Sequence, residues 1–128
     1  MLKMRCGEEV CLKVEKVSSP VFEAPSGALT ICVKPGTFSH WLELAQALYY
    51  AYHWRGPARN PNISALMFLS GKEQIRDALT ISATSGEAIC ATLGTREVLE
   101  EVSKGEPYYP EESFDPWKIT RFALDLAS

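Results

Sequence analysis

The chain has 128 residues, a net charge of −3, 46% hydrophobic and 23% charged residues. That is the size of one ordinary domain, long enough to bury a core without a structural metal or disulfide, and its charge balance gives no global basic field for holding nucleic acid. Charge is uneven: residues 1–96 carry ten Lys/Arg and eight Asp/Glu, residues 97–128 three and eight. An anion would favour the body and a basic ligand the tail, with two solvated faces as the simpler account.

LKMRC-GEE-VCLKVEKV reads as a hairpin over residues 1–17, with Gly7 opening the turn and Val10, Leu12, Val14 and Val17 as the apolar set against Cys11, Lys13 and Glu15. Two prolines and a glycine make residues 18–27 a loop. The β-branched apolar run Ala28–Val33 reads as a buried strand. The longest helix is expected from about Phe38 to Trp54, its stripe formed by Trp41, Ala45, Leu48 and Tyr52 and widened by Leu44 and Ala51. RGPARNPN (Arg55–Asn62) reads as a loop, and Ile63–Leu69, apolar almost throughout, as a strand covered on both faces.

A second helix is expected from Gly71 to about Ile81. Ser70 and Glu73 would form its capping box, and Ile75, Ala78 and Leu79 would face the core. Glu87–Leu93 reads as a strand and Thr95–Gly105 as a helix with a Thr cap and a closing Gly. EPYYPEES is a loop. In the last helix Asp115 is N-cap, Pro116 is the first helical residue, and Ile119, Phe122, Ala123 and Leu126 form the apolar face. The sum is a single α+β domain over residues 1–128 (hairpin 1–17, loop 18–27, core 28–128), with a small mixed or antiparallel sheet and about four helices. With no signal-peptide pattern behind Met1 and no run of eighteen apolar residues, a cytoplasmic location and no membrane contact are expected.

No known catalytic motif is present, and the acidic pairs Glu8-Glu9, Glu100-Glu101 and Glu111-Glu112 sit where solvated carboxylates are the default. Cys6, Cys11, Cys32 and Cys90 form no C-x-x-C pair. His40 and His53, thirteen residues apart on one helix, point away from each other, so no shared metal site and no cofactor is expected. Cys32 and Cys90 read as small buried hydrophobes. Cys6 and Cys11 can face each other across the hairpin, reduced in a mesophile cytosol or bridged in a hyperthermophile. A cysteine-dependent enzyme would need one reactive, low-pKa thiol among the four. The binding candidate is the Ser70–Gly71 joint. A helix start there would offer free N–H groups, Gly71 would admit a ligand to the backbone, and Lys72, Arg55 and Arg59 would add positive charge. That geometry also suits a small-anion regulatory site.

One order of parts stands out: ALTICVKPGTFSHWLELAQALYYAYHW, then RGPARNPN, then ISALMFLSGKEQIRDAL, then EAICATLG, TREVLEEV and DPWKITRFALDLAS. From about Ala28 to Leu126 it resembles the kinase-binding regulatory subunit of the KEOPS complex, the family that includes the human PRPK-binding protein TPRKB, and most of all its archaeal members. The most specific match is the S-G-x-x-Q-I-x-x-A-L stretch, Ser70 to Leu79. The compact N-terminal hairpin departs from the longer N-termini of the family, and Thr80-Ile81-Ser82 replaces its usual Phe-Gly-Ile-like helix ending. The resemblance implies a non-catalytic subunit. Its partners would be the kinase-like ATPase subunit, through it the threonylcarbamoyl-transferase subunit, and tRNA, held by its 3′ CCA end. On that basis Arg55, Arg59 and Lys72 would meet phosphates, Gly71 would allow close approach, Gln74 would read a base edge, and Ile75 or Trp54 would pack on a base. Ile119 and Phe122 are the candidates for the kinase contact.

Overall fold

The computed structural model describes residues 4–20, 24–54, 56–101 and 105–127. They form one α+β domain in which helices cover a fully antiparallel sheet. Strands β1 (Arg5–Cys6), β2 (Cys11–Val17), β3 (Leu29–Val33), β4 (Ala88–Gly94) and β5 (Glu106–Pro107) join in the order β1-β2-β4-β3, with β5 on the same edge of β2 as β1. The helices are α1 (Trp41–Trp54), α2 (Pro61–Ser70), α3 (Ile75–Ala78), α4 (Arg96–Glu100) and α5 (Pro116–Ala127), with a single 3-10 turn at Leu79–Ile81.

The hairpin, β3, β4 and the last helix lie where the sequence places them. Helix α1 begins three residues later than expected, because Glu43 reaches back to accept the N–H groups of Ser39 and His40 at 2.8 and 3.0 Å, and His40 Nδ1 accepts the N–H of Leu42 at 3.1 Å. Asp115 Oδ1 accepts from Trp117 N at 2.9 Å, so the α5 cap and its Pro116 are as expected.

The largest correction concerns Ile63–Leu69, which is helix and not strand. Asn60 Oδ1 caps α2 by accepting from Asn62 N at 2.9 Å, Pro61 takes the first turn, and Ser64 through Leu69 are all buried. A helix buried on every side carries no 3.6-residue stripe, so it reads like a buried strand. The expected helix from Gly71 to Ile81 shrinks to α3 and the 3-10 turn. Helix α4 ends at Glu100, Thr95 makes no side-chain cap bond, and 102–104 lie outside the described residues. The EPYYPEES loop contributes β5 and an isolated bridge from Glu111 to His40.

Both faces of the sheet are covered. Leu12, Val14, Ile31, Val33, Ile89, Ala91 and Leu93 pack beneath α1, α2 and α5, against Leu44, Leu48, Phe68 and Ile119. Cys11, Lys13 and Glu15, expected on a solvated face, are buried on the other side. There Lys13 Nζ donates to the carbonyl of Leu99 at 2.8 Å, Glu15 Oε2 accepts Gly105 N at 3.1 Å, and the Thr30 and Thr92 hydroxyls bond each other. Such bonds offset the cost of burying charge and polar groups. Cys32 and Cys90, paired across β3 and β4, form a disulfide, and so do Cys6 and Cys11 across the hairpin. All four cysteines are bridged, which leaves no thiol for nucleophilic chemistry.

Tyr109 closes the gap between β1 and β5 along the edge of β2. Its hydroxyl donates to Leu12 O and accepts from Val14 N, each at 3.2 Å. Burial pushes its pKa above the usual phenol value of 10.0, against smaller opposing effects of the Val14 bond and Arg5, with Glu15 raising it further. A raised folded-state pKa means that the neutral phenol stabilises the fold below the unfolded value and that this contribution disappears as pH rises through the folded one. Stability is therefore expected to fall above about pH 10, and Tyr109→Phe to remove that part of the loss while costing about 1–3 kcal/mol at neutral pH for the unpaired Val14 N–H. Urea titrations at stepped alkaline pH measure both.

Candidate nucleic-acid interface

The site is the corner where α1 turns into α2 and α2 gives way to α3. The turn is held tightly. Gly56 adopts φ +73°, and a Cβ there would lie 2.8 Å from Ser64 Cβ and 2.9 Å from Phe68 Cε2. Ser64 Oγ accepts from Ala58 N at 3.0 Å and donates to Ala58 O at 3.1 Å. The Trp54 ring lies 5.7 Å from that of Phe68, tilted by 30°, and stays 46% exposed.

Gly71 is not a helix start. It ends α2 in the left-handed conformation at φ 71°, and its N–H donates to Met67 O at 2.9 Å. Ser70 belongs to α2 and makes no capping box. Its Oγ accepts from Lys72 N at 3.3 Å. A helix C-terminus carries partial negative charge, so the anion-binding helix start expected here is absent. Helix α3, of four residues, has Gln74 at its N-cap with no side-chain cap bond.

The expected residues come together only in part. Gln74 and Ile75 join Pro57, Met67, Glu73 and Arg76 around a shallow depression of about 590 Å³. Ile75, expected in the core, is 45% exposed, whereas Ala78 is buried as expected. Leu79, also expected in the core, lies on the surface. Lys72 is exposed beside this depression in sequence, but does not line it. Arg59 is exposed two residues beyond Pro57, ahead of α2, and does not line the depression. Arg55 lies outside the described residues. Arg76 and Pro57 escaped the sequence reading. Arg76 looked like one polar position of a long amphipathic helix, and the return of Pro57 onto α2 depends on the Gly56 contact, which leaves no local pattern.

Lys72 and Arg76 alternate with Glu73 and Asp77, so the strip has no net charge. No ion pair among the described residues occupies Arg59, Lys72 or Arg76. The arrangement suits shape and stacking recognition with a few cations, not charge-dominated binding.

The two residues expected at a kinase contact are not equivalent. Ile119 is 1% exposed and belongs to the core, because α5 turns it with Ala123 toward the other helices. Phe122 is partly buried against the same core. The outward side of α5 instead presents Trp117 and Leu124, both 64% exposed and two helical turns apart. No group of three or more His, Cys, Asp or Glu side chains among the described residues is placed to hold a metal, and no described helix is long and apolar enough to cross a membrane. What the corner does rests on its own chemistry, since no protein-family model and no curated protein matches this chain.

Proposed function

We propose that the chain is a non-catalytic regulatory subunit of a KEOPS-type complex. It docks on the kinase-like ATPase subunit and, through it, on the threonylcarbamoyl transferase, and it helps hold the single-stranded 3′ CCA end of tRNA at the α1–α2 corner. One observation carries the reading. The stretch behind the family resemblance places Gln74, with no cap bond to make, and Ile75, 45% exposed, side by side in the open. An apolar side chain and a free amide at the surface contribute little to the fold and fit a base face and a base edge. Trp54 supplies a ring near the same turn, and Arg76 and Lys72 supply phosphate contacts. The exposed Trp117 and Leu124 of α5 are the surface we assign to the kinase-like partner. A cytoplasmic location belongs to this reading, and with two disulfides it fits a hyperthermophile, whose intracellular proteins keep such bonds.

Gel-shift titrations with intact tRNA and with tRNA lacking CCA test the proposal. Intact tRNA is expected to bind more tightly. With two or three phosphate contacts on a single strand, affinity falls roughly tenfold between 50 and 200 mM salt. Trp54→Ala is expected to weaken binding by about 1–3 kcal/mol, and Ile75→Ser to weaken it without lowering Tm. Equal binding of the two RNAs removes the 3′-end assignment.

A further inference from the structure

A second recess lies between α1 and the β1–β2 hairpin, at the edge of the core. It has a volume of about 700 Å³, within the range of small-molecule sites. Its floor is Leu12, Leu93 and Ala45, its aromatic wall Trp41, Tyr49 and Tyr50, and its rim the hairpin from Arg5 to Val10. Two residues lining it carry polar atoms that are shielded from water and have no hydrogen-bond partner among the described residues: the donor Trp41 Nε1 and the acceptor Gln46 Oε1. The other end of the Gln46 amide is fixed, since Nε2 donates to Pro116 O at 3.0 Å. Buried donors and acceptors left unpaired are uncommon in folded proteins, and each calls for a partner.

The charges at the rim select against anions. The guanidinium of Arg5 lies 5.0 Å above Trp41 and 4.8 Å above Tyr109 and pairs with Glu111 at 3.9 Å. Glu9 is 3.7 Å from His53, and no ion pair among the described residues matches Glu8. The aromatic wall and the orphan donor–acceptor pair favour a flat ring bearing both hydrogen-bonding functions. Tyr49, 44% exposed, offers a face for stacking.

We propose that this cleft binds a small, flat, uncharged nitrogen heterocycle, which accepts from Trp41 Nε1–H and donates to Gln46 Oε1. Arg5, lying over the indole, is the movable part of the cover. The site is separate from the α1–α2 corner and does not depend on its role.

The three tryptophans make the test direct. Indole N–H resonances of Trp41, Trp54 and Trp117, assigned with Trp→Phe variants, are followed by NMR while adenosine, cytidine or nicotinamide is added as probe. At least one probe is expected to shift the Trp41 resonance saturably and leave Trp54 unmoved. Adenosine 5′-monophosphate is expected to bind roughly tenfold or more weakly than adenosine, because its phosphate meets the rim carboxylates. Tyr49→Ala, with its melting curve unchanged, is expected to weaken binding roughly 2–12-fold. An unmoved Trp41 resonance with all three probes overturns the proposal. So does equal binding of the monophosphate, or a shift confined to Trp54.

Discussion

Removing the Cys32–Cys90 bridge is expected to lower the stability of the domain by about 4 kcal/mol, and that of Cys6–Cys11 by about 2 kcal/mol, by the loop-entropy relation. The difference follows from separations of 58 and 5 residues along the chain. The first bond ties β3 to β4 before folding begins, so its loss releases a long loop in the unfolded chain. The second closes a turn that is already short. For a domain of this size the Cys32→Ala/Cys90→Ala pair corresponds to a fall in Tm of roughly 10–20 °C. Differential scanning calorimetry of both double variants decides it, and equal losses would argue against the entropic account. Thiol reagents should distinguish the same two bonds in the native state. Cys6 is exposed, so its bond should yield to reductant without global unfolding, while Cys32 and Cys90, each 1% exposed, should not.

Gly56→Ala is the second change expected to act strongly. A residue with a Cβ at φ +73° costs about 1–2 kcal/mol. The added methyl also meets Ser64 Cβ and the Phe68 ring, with an overpacking penalty of about 1–3 kcal/mol. Neither neighbour yields easily, since Ser64 is fully buried and bonded twice to Ala58, and Phe68 is 1% exposed. The expected loss is therefore about 2–5 kcal/mol, read by denaturant titration. The functional consequence separates this from a simple stability defect. Under the proposed function, the variant below its melting point should also bind tRNA less well, because pushing Gly56 off α2 moves Pro57 away from Gln74 and Ile75. Normal tRNA affinity in the folded variant would detach the corner from RNA binding.

Elements with a period or a cap were legible in the sequence. Alternation marked β2 and Asp115-Pro116 marked α5. The stripe of Trp41, Ala45, Leu48 and Tyr52, widened by Leu44 and Ala51, marked α1, although Leu44, Leu48 and Ala51 are its buried members and Trp41, Ala45 and Tyr52 are only partly buried. Helix α2 was misread because its middle is buried all round, although its ends were marked: Asn60-Pro61 opens it and Gly71 closes it, the usual asymmetry of helix termini. Giving those signals less weight than the apolar run turned Ser70–Gly71 from a helix end into a helix start, and the anion site went with it. The Cys32–Cys90 pairing was out of reach, since it depends on β3 lying beside β4 in a register that brings the two residues opposite each other. The burial of Lys13 and Glu15 was equally hidden, because the partners of both, Leu99 and Gly105, come from the far end of the chain.

The sheet leaves little backbone for another chain to use. On β3, Asn62 Oδ1 takes Thr30 N at 3.0 Å, and Cys32 O accepts Ala83 N at 3.0 Å. On β2, β1, the Tyr109 hydroxyl and β5 occupy successive positions. A domain whose long β2 is covered by two-residue strands, and whose β3 is bonded to α2 and the segment at Ala83, offers little template for edge-to-edge polymerisation or a visiting peptide. Its associations are then left to side chains on helices and turns, so any assembly it joins should form by surface docking rather than by sharing a sheet.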